Sequence, residues 1–433
     1  MEVQDDDPTA YYAAYGAAKK RHLEVLLAKV NVEALESAAS KAQQRILCQI
    51  TALSNPSTRA DLTSSQCGGQ NCHVDVEFVD GVTWLARIRL DDPLPPAGVQ
   101  ASVFLSEVAT LEFLANTQVP APHVYAYEPA SPANAVGTSY VLMEKLAGKP
   151  LDWNRATAEQ RARVMEGLAD VYLELEKHPI PLSGPLVPGT DGQVTVGAFA
   201  QVPWFETPEQ ALGPFGTLEA SYTAIVLHHL RMLASLALGN NLLVDNYLTF
   251  LWRLSALPQL VADSASRAGP FYLKHCDDKG DHILVDDEHN ITGIIDWEFA
   301  SAEAKELAFS SPCMVWPVGD FYDGSNALAE DEVRFADIFE QRGRGDLGKM
   351  VRGGRPWQRY LFFLGGRIPR EMIGLEPLFQ GLRKSMPAGE NNAAAISSYL
   401  DWKQGALAGL SKQGAQLLAL LRDERAKGEG SSK

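Results

Sequence analysis

Long hydrophobic runs are missing from this sequence. No apolar stretch approaches the ~20 residues that a helix needs to span a bilayer, so we expect no membrane segment. The N-terminal residues MEVQDDDPTAYY are acidic and polar, which is untypical of a secretory signal or a mitochondrial presequence. These two absences predict a cytoplasmic protein that has no membrane partner.

Cysteine is scarce and irregularly placed. The closest two cysteines are not followed by a second Cys or His pair at a metal-binding spacing, which argues against a zinc site, and the odd total argues against a disulfide framework. The five are Cys48, Cys67, Cys72, Cys276 and Cys313. We therefore expect ordinary thiols.

Positive charge is also in short supply. The chain has 38 Lys and Arg against 54 Asp and Glu, a net charge of −16. A protein this acidic is a poor general binder of nucleic acid, whose phosphates attract basic surfaces. The charge suits a cationic or neutral small molecule, although solubility alone also accounts for it. The sequence does not indicate an oligomeric state.

The length and composition allow two or three packed units, since 46% of the 433 residues are hydrophobic. Apolar residues at three- and four-residue spacing predict a helical N-terminal extension over residues 1–60. Residues 61–147 predict a small, mostly antiparallel sheet with one helix, and residues 148–425 a larger, mainly helical unit. The polar residues 426–433 predict a flexible tail. The predicted fold class is therefore α+β.

Alternating apolar and polar residues mark the first strands of the small unit. Val74, Val76 and Phe78 fall on one face of a strand, and Asp80-Gly81 supplies the turn of a hairpin. The returning strand is VTWLARIRL. A helix is predicted next, roughly over residues 102–116, because apolar residues recur there at helical spacing.

A glycine pair precedes the first of these strands. Gly68 and Gly69 would let the backbone approach a phosphate closely, and so cap a nucleotide. An ordinary tight turn is the alternative interpretation, because two adjacent glycines match neither a P-loop nor a dinucleotide-binding fingerprint.

The most informative stretch is FYLKHCDDKGDHILVDDEHNITGIIDWEFA, residues 271–300. It predicts a short strand, a loop rich in carboxylates, and a hairpin that ends on another acid. We expect Asp277 and Asp296 at the ends of neighbouring strands. Two such acids suit phosphoryl transfer, in which one orients a hydroxyl and the other binds Mg²⁺. They could instead cap a turn and a strand end.

Several segments, in one order, resemble the aminoglycoside phosphotransferase family. They are GGQNCHVDVEFVDGVTWLARI, SEVATLEFLANTQVPAPHVYAYE, SYVLMEKLAGKPL and HCDDKGDHILVDD followed by ITGIIDWEFA. The resemblance covers nearly all of residues 68–366 and is greatest to the fungal branch of this family, which shares its superfamily with choline kinases. It implies a protein kinase-like bilobal fold and an ATP-dependent phosphotransferase that phosphorylates an alcohol group.

The resemblance also implies roles for single residues in the small lobe. Arg87 stands where kinases have the strand lysine and would contact the nucleotide phosphates, and Glu107 would be its ion-pair partner from the helix. The segment containing Met143, Glu144 and Leu146 would be the hinge whose backbone binds adenine.

In the large lobe, the resemblance makes Asp277 the catalytic base and Asp296 the metal ligand. His275 is expected to support the loop by hydrogen bonding. Glu298 is expected to be a structural acid that forms salt bridges. A small, possibly cationic acceptor would bind between the lobes.

One position departs from the family pattern. His282 occupies the place of a metal-binding asparagine, and Asp281 precedes it. Imidazole suits Mn²⁺ or zinc better than Mg²⁺, so either His282 binds another metal or Asp281 or Asp278 supplies the missing oxygen. Cys276 also replaces a glycine in the loop. These changes leave open a pseudokinase-like protein that binds a nucleotide or another ligand without turnover, or a scaffold used for other chemistry.

Overall fold

The computed structural model of this protein describes most of the chain. The described residues are 17, 20–21, 23–54, 70–90, 97–190, 192–199, 212–234, 242–364, 372–387 and 397–410. Across these ranges, no helix is both long enough and apolar enough to cross a membrane.

The small lobe contains a five-stranded antiparallel sheet. Its strands are β1 (Cys48–Gln49), β2 (Asn71–Phe78), β3 (Thr83–Arg89), β4 (Val124–Glu128) and β5 (Tyr140–Glu144). They lie in the order β1-β2-β3-β5-β4, and every neighbouring pair is antiparallel. Val74, Val76 and Phe78 are all buried on one face, as their alternation predicts.

The predicted N-terminal extension is built into the small lobe. Helix α1 (Val32–Ala42) and the short α2 (Thr51–Ser54) flank β1, which hydrogen-bonds to the edge of β2. Leu26 and Leu35 are fully buried in the same apolar cluster as the inner face of the sheet. The segment for which the sequence predicts a helical extension therefore also contains β1, an edge strand of the sheet.

Helix α3 (Ala97–Leu114) covers the opposite face of this sheet. Val108 and Leu114 are fully buried and share a core cluster with Met143 of β5. The helix begins five residues before the predicted start and ends two before the predicted end. It also packs against a hairpin of the large lobe, so it has contacts on both sides of the cleft.

The large lobe holds two small sheets. Its strands are β6 (Lys149–Pro150), β7 (Gly184–Pro188), β8 (Val194–Val196), β9 (Tyr272–Lys274), β10 (Ile283–Val285), β11 (Ile291–Ile294) and β12 (Ser301–Glu303). One sheet has the order β11-β10-β6 and the other β8-β7-β12-β9. The first sheet pairs the chain that has just left the small lobe with the hairpin that leads to Asp296.

The rest of the large lobe is mainly helical, as predicted. The helices are α4 (Ala158–Glu176), α5 (Leu218–Ala234), α6 (Leu243–Val261), α7 (Lys305–Ala308), α8 (Val318–Tyr322), α9 (Glu330–Gln341), α10 (Gly345–Arg352), α11 (Arg355–Leu364), α12 (Met372–Ser385) and α13 (Tyr399–Gly409). Helix α4 begins with a capping box formed by Thr157 and Gln160. The core of this lobe packs around fully buried aromatic residues, among them Trp297 and Phe309.

Candidate active site

Arg87 lies at the centre of a buried ion cluster between the lobes. It is placed by β3, opposite Val141 of β5, and its side chain is only 6% exposed. One Nη atom forms an ion pair with Glu107 of α3. The other donates to Asp296 Oδ1 at 2.7 Å and to Glu298 Oε2 at 3.2 Å. One guanidinium thus joins a small-lobe carboxylate to two from the large lobe.

The charges of this cluster depend on one another. Burial lowers the pKa of Arg87, and the carboxylates of Glu298 and Asp296 oppose that shift. The Nε–H of Arg87 is buried and has no hydrogen-bond partner among the described residues. Loss of the arginine would therefore leave the buried Glu107 without its counter-charge and would remove one of the two arginines that bind Glu298.

Glu298 also binds a second arginine. Arg89 donates to Glu298 Oε1 at 2.6 Å, and Asn71 Nδ2 donates to Oε2 at 3.2 Å. The salt-bridging role predicted for Glu298 is confirmed. Arg89 was not predicted, although a signal existed: Arg87 and Arg89 are two residues apart on a strand, so their side chains share a face.

The loop that carries Asp277 is held by two stacked histidines. His275 Nε2 bonds to the carbonyl of Ile295 at 3.0 Å, and its ring stacks on His282 with centroids 4.2 Å apart. The supporting role predicted for His275 is confirmed. We expected Asp277 and Asp296 at the ends of neighbouring strands, and this expectation is wrong. The strands that precede them, β9 and β11, belong to different sheets. The bond from His275 to Ile295 joins the two segments instead.

Asp277 faces a lysine of its own loop. Lys279 Nζ donates to Asp277 Oδ2 at 2.5 Å and lies 3.5 Å from Asp281 Oδ2. The side chains of Asp277, Lys279 and Asp281 are 49%, 55% and 61% exposed. The side chains of this loop are therefore accessible to a ligand, and a cation lies beside the predicted base.

Asp278 has a structural position instead. Its side chain is 14% exposed and forms an ion pair with Lys274, and its second oxygen accepts from Cys313 N–H at 3.0 Å. The nearby Asp278 charge raises the pKa of Lys274 against the opposing effect of burial. Both carboxylate oxygens of Asp278 are thus engaged, Oδ2 with Lys274 of β9 and Oδ1 with the segment at Cys313.

His282 is buried behind the loop and is neutral. It is 6% exposed, and its Nδ1 accepts from Gly280 N–H at 3.4 Å. Burial, followed by the charges of His275, Lys274 and Lys279, lowers the pKa of His282 to about 2. In the part of the chain that the structure describes, no group of three His, Cys, Asp or Glu side chains is arranged to hold a metal ion. The structure therefore does not bring Asp296, His282 and Asp281 together as such a group, and their role as metal ligands stays a prediction.

Asp296 is aimed into the cleft by an unusual backbone conformation. Its φ is +62°, in the left-handed region that few residues other than glycine adopt. The preceding residues are fixed, because Ile295 N–H donates to the His282 carbonyl at 2.9 Å. Strained backbone of this kind concentrates at functional sites. The side chain is 51% exposed, so it can bind Arg87 and still face a ligand.

The predicted hinge spans the end of β5, whose last two residues are Met143 and Glu144. Met143 is 5% exposed, and Glu144 N–H donates to the His123 carbonyl at 2.8 Å. Leu146 packs on Gly293 of β11 so closely that a Cβ there would lie 2.6 Å from Leu146 Cδ1. The other predicted nucleotide-binding residues, Gly68 and Gly69, lie outside the described residues.

Glu303, on the strand that follows the Asp296 loop, is a buried acid that has no cationic hydrogen-bond partner among the described residues. It is 8% exposed and accepts from Ser301 Oγ at 2.7 Å and from Tyr222 OH at 3.4 Å. Burial raises the pKa of Glu303 from 4.5 to about 7, because the charged form loses its hydration. The folded protein therefore prefers the protonated form.

This shift predicts a pH-dependent stability. The contribution of Glu303 is fully present below pH 4.5, the usual pKa, and is lost as the pH rises through the folded pKa of about 7. The loss should approach ~3 kcal/mol, since each pKa unit corresponds to ~1.4 kcal/mol. Glu303→Gln should remove this pH dependence. Urea unfolding should then give a smaller difference in the free energy of unfolding between pH 5 and pH 8 than in the wild type. The exposed control Glu330→Gln should retain the wild-type difference, and an unchanged difference in Glu303→Gln would contradict the assignment.

The five-stranded sheet with α3 across one face, the helical lobe and the ion cluster between them define a protein kinase-like bilobal α+β fold, which confirms the predicted class. The model of the Phosphotransferase enzyme family (APH) matches residues 76–303, more than half of the chain. The chain belongs to this family. The family predicted from the motifs is therefore confirmed.

Two curated relatives share a shorter region. Subtelomeric hrmA-associated cluster proteins from two strains of Aspergillus fumigatus are each 33% identical to this chain over 129 residues. The match covers 29% of this chain and 24% of each relative. The chain thus spans about a quarter of the length of the curated relatives it matches.

Solved structures of small-molecule kinases are also similar. The ternary complex of a thermostable mutant of aminoglycoside phosphotransferase APH(4)-Ia with AMP-PNP and hygromycin B has 18% identity and a TM-score of 0.42, over 73% of this chain and 91% of that chain. Plasmodium vivax ethanolamine kinase has 13% identity and a TM-score of 0.45, over 86% of this chain and 92% of that chain. The family assignment depends on the family match alone.

Proposed function

We propose that the protein is an ATP-dependent kinase that transfers the γ-phosphate to a hydroxyl group of a small molecule. The observation that carries this proposal is the contact of Arg87 with both Glu107 and Asp296. In kinases, a strand cation paired with a helix glutamate positions the nucleotide phosphates, and an aspartate across the cleft binds the metal. Membership of a phosphotransferase family supports the same function.

In this proposal the small lobe binds the nucleotide. Arg87 and Arg89 offer guanidinium groups toward phosphate oxygens, and the unpartnered Nε–H of Arg87 leaves one buried donor to spare. The backbone of Met143, Glu144 and Leu146 would bind adenine. The glycine pair before β2 would cover the phosphates.

The donor atoms at Asp296 suit Mg²⁺ or Mn²⁺. A half-exposed carboxylate is a hard oxygen ligand, which these ions prefer, and such ions commonly take one or two protein carboxylates together with phosphate oxygens. When bound, the ion would neutralise charge on the transferred phosphate.

The chemistry assigned to this chain is proton transfer and positioning. Asp277 orients the acceptor hydroxyl and takes its proton as the oxygen forms a bond to the γ-phosphorus. The bond from that phosphorus to the β–γ bridging oxygen breaks, and ADP leaves with the electron pair. The exposure of Asp277 on the open face of the loop supports this role.

The segment after the ion cluster would contact the acceptor. Cys313 N–H and Met314 N–H both bond to Asp278, which joins the segment that leads to α8 to the catalytic loop. Asp320 and Asp323 bring negative charge there, and Tyr322 is 46% exposed. A small amine with a free hydroxyl suits these groups.

The second candidate is a protein that binds nucleotide without turnover. The observation that favours it is His282, a buried, neutral ring in place of a metal-binding amide oxygen. Thermal stabilisation by nucleotide together with undetectable phosphorylation, even in His282→Asn, would favour this candidate.

Titration of purified protein with ATP in Mg²⁺, in Mn²⁺ and without metal would test the kinase, followed by assays with ATP and a panel of amino alcohols. We expect metal-dependent binding and phosphorylation of at least one hydroxyl. If ATP fails to bind under all three conditions, the kinase proposal is wrong.

A further inference from the structure

Lys279 Nζ lies between two carboxylates of its own loop, 2.5 Å from Asp277 Oδ2 and 3.5 Å from Asp281 Oδ2. We propose that this site works with one divalent ion, held at Asp296, and that the Lys279 ammonium supplies the charge that a second ion supplies in kinases that bind two. This inference rests on the proposed kinase function and concerns how that same site neutralises phosphate.

The first argument is that His282 does not fit the second ion. The ring is stacked between the loop and the core, and Nδ1 already accepts from Gly280 N–H. Mg²⁺ needs oxygen donors in a strict octahedral arrangement, which an imidazole fixed in a stack does not provide. The position that should donate an oxygen instead packs the loop.

The second argument is that the neighbouring carboxylates do not replace this oxygen. Asp278 is bound by Lys274 and by the Cys313 N–H, and it holds the loop in place. Asp281 is 61% exposed, and its closest cation is Lys279 at 3.5 Å. A divalent ion at Asp281 would therefore lie next to an ammonium group of the same sign.

The third argument is the position of Lys279 itself. Its Nζ lies 2.5 Å from the proposed base Asp277, and its side chain is 55% exposed. A lysine ammonium binds phosphate as a mobile point charge on a flexible stem. Release from Asp277 by a short rotation would let Lys279 bind the γ-phosphate beside the acceptor oxygen, while Asp277 becomes free to receive the proton.

Electron paramagnetic resonance of Mn²⁺ titrated into protein saturated with AMP-PNP tests the count of ions without turnover. We expect one protein-bound Mn²⁺ per AMP-PNP in the wild type and two in His282→Asn, which restores an amide oxygen. Asp296→Asn should weaken the single site at least about tenfold, since a charged ligand is lost. Two bound Mn²⁺ ions in the wild type would overturn the inference and leave the proposed kinase intact.

Binding of AMP-PNP and of AMP to Lys279 variants tests the second half of the inference. Lys279→Met should weaken AMP-PNP at least about tenfold and AMP less than about twofold, because only AMP-PNP carries a γ-phosphoryl group. Lys279→Arg should recover most of the affinity. The exposed control Lys177→Met, at the C-terminal end of α4, should bind both as the wild type does.

The outcomes of the two tests distinguish a failure of this inference from a failure of the proposed kinase function. Equal weakening of AMP and AMP-PNP by Lys279→Met, or no weakening at all, would overturn the role of Lys279. Failure of AMP-PNP to bind the wild type with any metal would overturn the proposed function together with this inference. A folded Lys279→Met protein is expected, because the side chain is exposed, and circular dichroism would check it.

Discussion

Asp277→Asn is expected to lower turnover by about 10²–10⁴-fold, the usual contribution of a general base. An amide cannot take the proton of the acceptor hydroxyl, although it keeps the size of the carboxylate and one acceptor oxygen. Affinity for ATP should change little, since the contacts of Asp277 within the described residues do not include a member of the cluster at Arg87. Steady-state rates with the best acceptor and ATP titrations would measure both quantities.

The control for this variant is Asp287→Asn. Asp287 lies in the turn between β10 and β11, is 99% exposed, and pairs only with Lys149 at 3.0 Å among the contacts described. It should behave as the wild type. Unchanged turnover in Asp277→Asn would show that another group accepts the proton, and the assignment of the base would be wrong.

Arg87→Met is expected to lower the free energy of unfolding by about 3–5 kcal/mol, the usual cost of breaking a buried ion pair by removing one partner. Glu107 and Glu298, both buried, would lose their shared guanidinium, and Asp296 would lose the donor that orients it. Binding of ATP should be lost in the same variant. Urea denaturation and nucleotide titration would measure the two effects.

Lys145→Met is the matched control for an ion pair near the same sheet. Lys145 and Asp75 are 2.6 Å apart, but their side chains are 45% and 44% exposed, so solvent screens the pair. Lys145→Met should therefore lower the free energy of unfolding by no more than about 1 kcal/mol. A loss in Arg87→Met as small as in this control would mean that the cluster does not stabilise the junction of the lobes.

Local patterns were sufficient to predict much of the fold. The alternation of Val74, Val76 and Phe78 identified β2, and helical spacing identified most of α3. These predictions succeed because the spacing of apolar residues along one strand or helix shows which of its faces is buried, whatever the rest of the chain does. The order of motifs also identified the family, and Arg87 and Glu107 are in contact.

Features that depend on distant parts of the chain were not predictable in the same way. The contact of Arg89 with Glu298 joins residues 209 positions apart, and neither residue alone indicates a partner. The separation of β9 and β11 into different sheets follows from pairing with β12 and β10, which a single sequence does not specify. The stacking of His282 on His275 likewise needs the folded loop. The types of residue in the sequence thus predicted which side chains form the candidate site, and only the structure showed which of them are in contact.

Gly148 limits how the two lobes can move. Its φ is +113°, and a Cβ would clash with Thr292 Oγ1 and lie 2.9 Å from the Val285 carbonyl oxygen. Thr292 also donates to the Ala147 carbonyl at 2.5 Å, so the connecting strand is anchored to the large lobe as soon as it arrives. Rigid-body rocking of the small lobe during a catalytic cycle would have to pivot on the few peptide units between β5 and that anchor. The axis of closure would then pass beside the adenine and leave the largest displacement at the phosphates.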